Sequence, residues 1–198
     1  AIKVESTALA IPVRVDGGAG ADTVTVGNGS VTGIKALSRP GLNAPFGLGP
    51  LVLVGGDGSD TVIVDDSTAT ADKIATLTAY LEEREGFELP VEVGVVSGLG
   101  MSLNVGATAG DGRVEFEGFE TVDLRLGQGS DDLTIGGDSI KSDLPRTRQE
   151  IADPFVDTTT GSTLVDTGSG SDTVMVLNTA ASSTVQISTA ADVDVINV

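Results

Sequence analysis

The chain contains no cysteine and no histidine. Thiolate and imidazole chemistry are thereby excluded: there is no Cys or His nucleophile, no imidazole base, and no sulfur- or nitrogen-ligated metal of the zinc type. Oxygen is the only ligand atom present in quantity, which selects hard cations. Aromatic residues make up 3% of the 198 residues, so a core built on large rings is ruled out and thin layers of Val, Leu and Ile must replace it. Positive charge is scarce as well: 11 Lys and Arg stand against 29 Asp and Glu, a formal net charge of −18. Such a surface repels nucleic acid and anionic lipid and strains a compact state by self-repulsion. A divalent cation is the economical offset, and solubility alone is the bland alternative. No apolar run is long enough to span a bilayer, and no stretch reads as a signal peptide. Neither nucleic acid binding nor membrane insertion is expected.

What the chain does have is a repeated turn. The stretch VDTGSGSDTVMV at 165–176 recurs as VDGGAGADTVTV at 15–26, LVGGDGSDTVIV at 53–64 and LRLGQGSDDLTI at 124–135. Each copy reads Gly-x-Gly-x-Asp between apolar pairs two residues apart, the period of a strand with one buried face. The doublets before the turn are Val13/Val15, Leu51/Leu53, Val122/Leu124 and Thr163/Val165; those after it are Val24/Val26, Val62/Val64, Leu133/Ile135 and Val174/Val176. The same frame, without the full motif, runs from Leu103/Val105 to Val114/Phe116 and from Val185/Ile187 to Ile196/Val198. That makes six units of strand, turn, strand, whose connections vary from the short 117–121 to the long 65–102. A full circuit takes roughly 20 residues where the connections are short, the size of one coil of a flattened solenoid.

These features predict an all-β, right-handed parallel β-solenoid of about six coils spanning 1–198 as one domain, the hand following the crossover rule. All six turns are expected in one column, with the insertions on the opposite edge. Residues 1–12 are expected to supply an incoming strand, and Val31 to Leu37 a short one. In the longest insertion Ile74, Leu77 and Leu81 fall at helical spacing, which predicts a helix over about 70–85, although the alternation at 75–78 also fits an added strand. The pairs Asp65/Asp66 and Glu82/Glu83 read as a solvated acidic edge, and Lys141, Arg146 and Arg148 as a salt-bridged loop or a site for an anionic sugar.

Glycines at the first and third positions of Gly-x-Gly-x-Asp permit left-handed backbone that turns carbonyls toward one point, while the Asp supplies a carboxylate there. The turn resembles the hemolysin-type (RTX-like) nonapeptide GGxGxDxUx of secreted bacterial toxins, proteases and adhesins. Residues 17–25 and 55–63 match it in full; the other two copies carry Leu126 and Thr167 in place of the first glycine. Single copies here are separated by long insertions, whereas the family repeats the nonapeptide back to back. The resemblance implies Ca²⁺ held between turns of neighbouring coils, at Gly18, Gly20 and Asp22, at Gly56, Asp57, Gly58 and Asp60, at Gly127, Gly129 and Asp131, and at Gly168, Gly170 and Asp172. In the degenerate turns the corresponding positions are Asp111, Asp192 and Asp194.

The expected function is that of a calcium-binding structural segment of a large extracellular or cell-surface protein, an adhesin or fibre, and not of an enzyme. Its partners would be calcium, further repeats or other copies of the same protein stacked end to end, and surface polysaccharide. The alternatives are a β-helical polysaccharide lyase or epimerase, for which bases are few, with Tyr80 the sole tyrosine, and a carbohydrate-binding module.

Overall fold

Val24 and Val26 are fully buried while Thr23 and Thr25 are partly exposed, and Val62 and Val64 repeat the pattern one unit later. This alternation drives strand formation, because it lets one face of each short segment leave water while the other stays wetted. The computed structural model describes residues 1–7, 13–34, 51–82, 91–101, 113–137, 161–179 and 183–198. Among these the chain is all-β. Its strands are β1 (Ile2–Val4), β2 (Arg14–Asp16), β3 (Thr23–Gly27), β4 (Leu51–Val54), β5 (Thr61–Asp65), β6 (Ile74–Glu82) and β7 (Val91–Gly98). There follow β8 (Arg113–Glu117), β9 (Thr121–Arg125), β10 (Asp132–Ile135), β11 (Ser162–Asp166), β12 (Thr173–Val176), β13 (Thr184–Ser188) and β14 (Val195–Asn197).

Two sheets result. The first has six strands in the order β1-β3-β5-β9-β11-β13, every neighbouring pair parallel. Its register stacks Ile2, Val24, Val62, Val122, Thr163 and Val185 in one row, and Val4, Val26, Val64, Leu124, Val165 and Ile187 in another. These rows form one wall of the core. The second sheet has eight strands in the order β2-β4-β8-β7-β6-β10-β12-β14, parallel except where β7 runs against β6 and β8. Leu51 and Leu53 lie beside Val114 and Phe116, and Ala75 and Leu77 beside Leu133 and Ile135.

The helix expected at 70–85 is instead β6. Ile74, one of the three residues that suggested it, is 73% exposed, whereas Ala75 and Leu77 are buried two residues apart. Strand partners on both sides, β10 and β7, supply hydrogen bonds that outweigh a marginal helical period. Residues 31–34 make a turn rather than a strand, closed by the Ile34 N–H on Val31 O at 2.9 Å. The incoming strand is present as β1, paired to β3. Leu103, Val105 and Asp111 fall outside the described residues, as do Lys141, Arg146 and Arg148.

The single column of turns is also corrected. Strands change sheet at each connection up to β6, but β6, β7 and β8 all remain in the second sheet. Antiparallel neighbours do not cross over, so this insertion reverses which sheet the next unit starts in. The units at 13–26 and 51–64 therefore run from second sheet to first, while those at 122–135, 163–176 and 185–198 run from first to second. With all first-sheet strands parallel, the turns 17–22 and 55–60 sit on one edge, and the turns 126–131, 167–172 and 189–194 on the opposite edge. The expected continuity from Asp60 through Asp111 to Asp131 does not hold. In its place, the short connection 118–120 joins the first edge and the segment 66–73 joins the second.

Candidate metal-binding edges

On the first edge the two full motif copies lie against each other through their backbones. The Asp57 N–H donates to Gly18 O at 2.9 Å, the Gly20 N–H to Asp57 O at 2.8 Å, and the Gly17 N–H to Val54 O at 2.8 Å. So close an approach explains the glycine at 56: its φ is +103°, and a Cβ there would fall 1.9 Å from Gly18 O. Gly18, Gly20 and Gly58 also have left-handed backbone and are exposed. The side chains then add a second set of bonds. The Asp22 N–H donates to Asp60 Oδ1 at 2.7 Å, and the Asp60 N–H donates to Glu120 Oε2 at 2.7 Å.

The second edge follows the same rule. The Lys73 N–H donates to Asp131 Oδ1 at 2.7 Å, the Asp131 N–H to Asp172 Oδ1 at 2.8 Å, and the Asp172 N–H to Asp194 Oδ1 at 3.0 Å. On both edges, then, the amide just before a strand is satisfied by a carboxylate one rung further along. A corner where the sheet ladder lapses would otherwise leave that donor unpaired. Asp192 helps in the same way, taking the Gly170 N–H at 3.1 Å. Gly168 and Gly170 are left-handed, whereas Gly127 and Gly129 are glycine for space: a Cβ would fall 2.4 Å from Ala69 O and 2.5 Å from the Ala71 carbonyl carbon.

Each of these carboxylates has a second oxygen. Asp131 Oδ2 accepts the Gly127 N–H at 3.1 Å. Asp60 Oδ2 and Asp172 Oδ2 are buried without a hydrogen-bond partner, in residues that are each 1% exposed. Thr167 Oγ1, at the start of the same turn as Asp172, is buried and unpartnered too. A dry, unpaired carboxylate oxygen is costly, and a hard cation with oxygen ligands is the chemistry that relieves it. The donor set fits such an ion at Asp60 and Asp172. Among the described residues no three acidic side chains converge on one point, so main-chain carbonyls would have to complete either shell. Asp57 and Asp192 are exposed, and Asp194 is partly buried.

The segment 66–73 also carries an internal ion pair. Asp66 is not on a solvated edge: it is fully buried, accepts the Val31 N–H at 2.9 Å, and faces Lys73 Nζ at 3.4 Å. Lys73 Nζ also donates to Leu99 O at 3.0 Å. Burial raises the Asp66 carboxyl above the ordinary range, against the pull of the Val31 amide and Lys73, with Asp65 adding to the rise. Asp131 is raised for the same first reason, opposed by the Gly127 and Lys73 amides, with Asp172 and Asp66 pushing it further up.

Glu120, Asp66 and Lys73 escaped the motif, yet one signal for Glu120 was present. Asp22, Asp60, Asp131, Asp172 and Asp194 each stand two residues before the first inward residue of a strand, and Glu120 stands likewise two before Val122. No family model, no curated protein and no solved structure matches this chain.

Proposed function

We propose that this chain is a calcium-stiffened structural segment of an extracellular or cell-surface protein, a right-handed parallel β-solenoid whose corners are tied by carboxylates. The solenoid reading is supported by strands that alternate between two sheets and by the wholly parallel first sheet. The observation that carries the calcium reading is the pair of buried carboxylate oxygens, Asp60 Oδ2 and Asp172 Oδ2, that no donor satisfies. Calcium sites with few carboxylates suit the outside of cells, where calcium is plentiful, and a charge of −18 would be partly offset by bound ions. An adhesin or fibre is the setting this favours, with the ligand-binding work done elsewhere.

Calorimetric titration of the chain with CaCl₂, paired with thermal melts in EDTA and in millimolar calcium, tests the proposal. Calcium is expected to raise the melting midpoint, and Asp172→Asn to remove part of that rise. Identical melts in EDTA and calcium would mean that the carboxylates serve the backbone alone.

A further inference from the structure

We infer that Asp60 and Glu120 form a divalent-cation site on the first edge, between a motif turn and a turn that carries no motif. The inference rests on the calcium reading above, but places the ion on a different step of the edge from the one the two full repeats would indicate. Between the turns 17–22 and 55–60 the carbonyls of Gly18 and Asp57 already accept backbone hydrogen bonds, and Asp60 Oδ1 accepts the Asp22 amide. That step is closed by the protein's own donors. The oxygen left over, Asp60 Oδ2, lies on the other side, toward 118–120. A Cβ built on Gly55 would fall 2.7 Å from Asp60 Oδ2 and 2.0 Å from Gly118 O, so these two oxygens border the same small space beside Gly55.

Glu120 is fastened to this place rather than free to drift. Its Oε2 accepts the Asp60 N–H at 2.7 Å, and its own N–H, like that of Thr121, donates to Asp60 O at 3.1 Å. Holding Oε2 in this way keeps the glutamate's second oxygen in the same neighbourhood. Two carboxylates and a main-chain carbonyl, with no Lys or Arg paired to either acid among the described residues, make an anionic oxygen cluster around a desolvated atom. Calcium suits it, since irregular shells of carboxylate and carbonyl oxygen are what that ion accepts and magnesium does not. The site also explains why a glutamate stands where the motif has aspartate: the turn 118–120 is shorter than the motif turn, and the longer side chain spans the difference.

The test uses the full chain, wild type, Glu120→Gln and Asp172→Asn, each titrated with CaCl₂ by calorimetry. Glutamine still accepts the Asp60 amide, so Glu120→Gln is expected to melt like wild type in EDTA. It should lose calcium affinity at one site by at least about tenfold, because ligand charge sets affinity in such sites. Asp172→Asn should leave that site intact. In wild type the Asp60 and Thr121 amide resonances are expected to shift as calcium is added. If wild type binds calcium while Glu120→Gln binds equally well and those amides stay put, this inference fails and the general reading survives. If wild type binds none, both fail.

Discussion

Asp66 and Lys73 show how a single pair can be costly to disturb and cheap to replace. Asp66 has no solvent exposure and Lys73 little, so neither charge is well hydrated. Lys73→Met is expected to destabilise the fold by about 3–5 kcal/mol, because it strands a buried carboxylate, whereas Asp66→Asn/Lys73→Met together should cost far less. A double-mutant cycle by urea unfolding measures the difference, and equal costs for the single and double variants would contradict it. The pair also sets a pH dependence. The Asp66 carboxyl is raised in the folded protein, chiefly by burial. A folded value above the unfolded one means that stability grows as pH falls through the folded value, the gain being complete below 3.8. Asp65 has the opposite sign: burial raises it, but the Ser67 hydroxyl and amide, the Gly29 amide and Arg125 outweigh that and hold it low. Its contribution is present above 3.8 and is lost as pH falls through its folded value. In EDTA the melting midpoint is therefore expected to climb from neutral pH toward about pH 4 and to drop below it. Asp66→Asn should flatten the climb.

At the scale of elements, the corners are where the chain has least latitude. Strand interiors tolerate exchanges among Val, Ile and Leu, since only inward volume matters there. The turns are fixed by contact between backbones. Gly56→Ala puts a Cβ 1.9 Å from Gly18 O on a residue with φ +103°, and Gly127→Ala puts one 2.4 Å from Ala69 O. Each is expected to cost about 1–3 kcal/mol, as overpacking and backbone strain generally do. Chemical denaturation checks the magnitude, and calcium titration of Gly127→Ala checks that a local displacement reaches Asp131 and Asp172. An alanine variant as stable as wild type would mean that the rungs are more loosely stacked than their hydrogen bonds imply.

For the molecule as a whole, the exposed large apolar side chains among the described residues gather, Ile74 apart, on the final strands. Met175, Leu177, Val193, Val195, Ile196 and Val198 are all exposed, and Ile196 lies in inward register with Val174. Val185 and Ile187 on β13 are only partly buried, as are Ile2 and Val4 on β1 at the other end. The two ends are complementary by translation: the apolar rows Ile2/Val4 and Val185/Ile187 continue one register, and β1 and β13 are the two edges of one parallel sheet. A contact between copies through these two edges would be head-to-tail, an arrangement that does not close on itself. Through such a contact the chain is expected to self-associate in calcium and to dissociate in EDTA, where no bound cation offsets the −18 charge. Sedimentation velocity with Ile187→Lys/Ile196→Lys checks this; association undiminished in that variant would place the contact elsewhere.

The sequence by itself determined the strands of the motif units and the corner aspartates, because a two-residue apolar period and a Gly-x-Gly-x-Asp turn are local statements about one segment of chain. Val24 and Val26, or Leu133 and Ile135, are buried as that period requires. Only the tertiary structure decided which edge each turn occupies. That depends on β6, β7 and β8 staying in one sheet, a matter of long-range pairing: Ala75 meets both Leu133 and Gly98, partners on different strands, one of them far along the chain. The same pairing brought Glu120 to Asp60 and Lys73 to Asp131, contacts about 60 residues apart in sequence that no local pattern encodes. Whether the second carboxylate oxygen is satisfied depends instead on how each turn folds. The Gly127 N–H donates to Asp131 Oδ2, whereas in the 167–172 turn the Gly168 N–H donates to Asp166 Oδ1 and Asp172 Oδ2 is left without a partner.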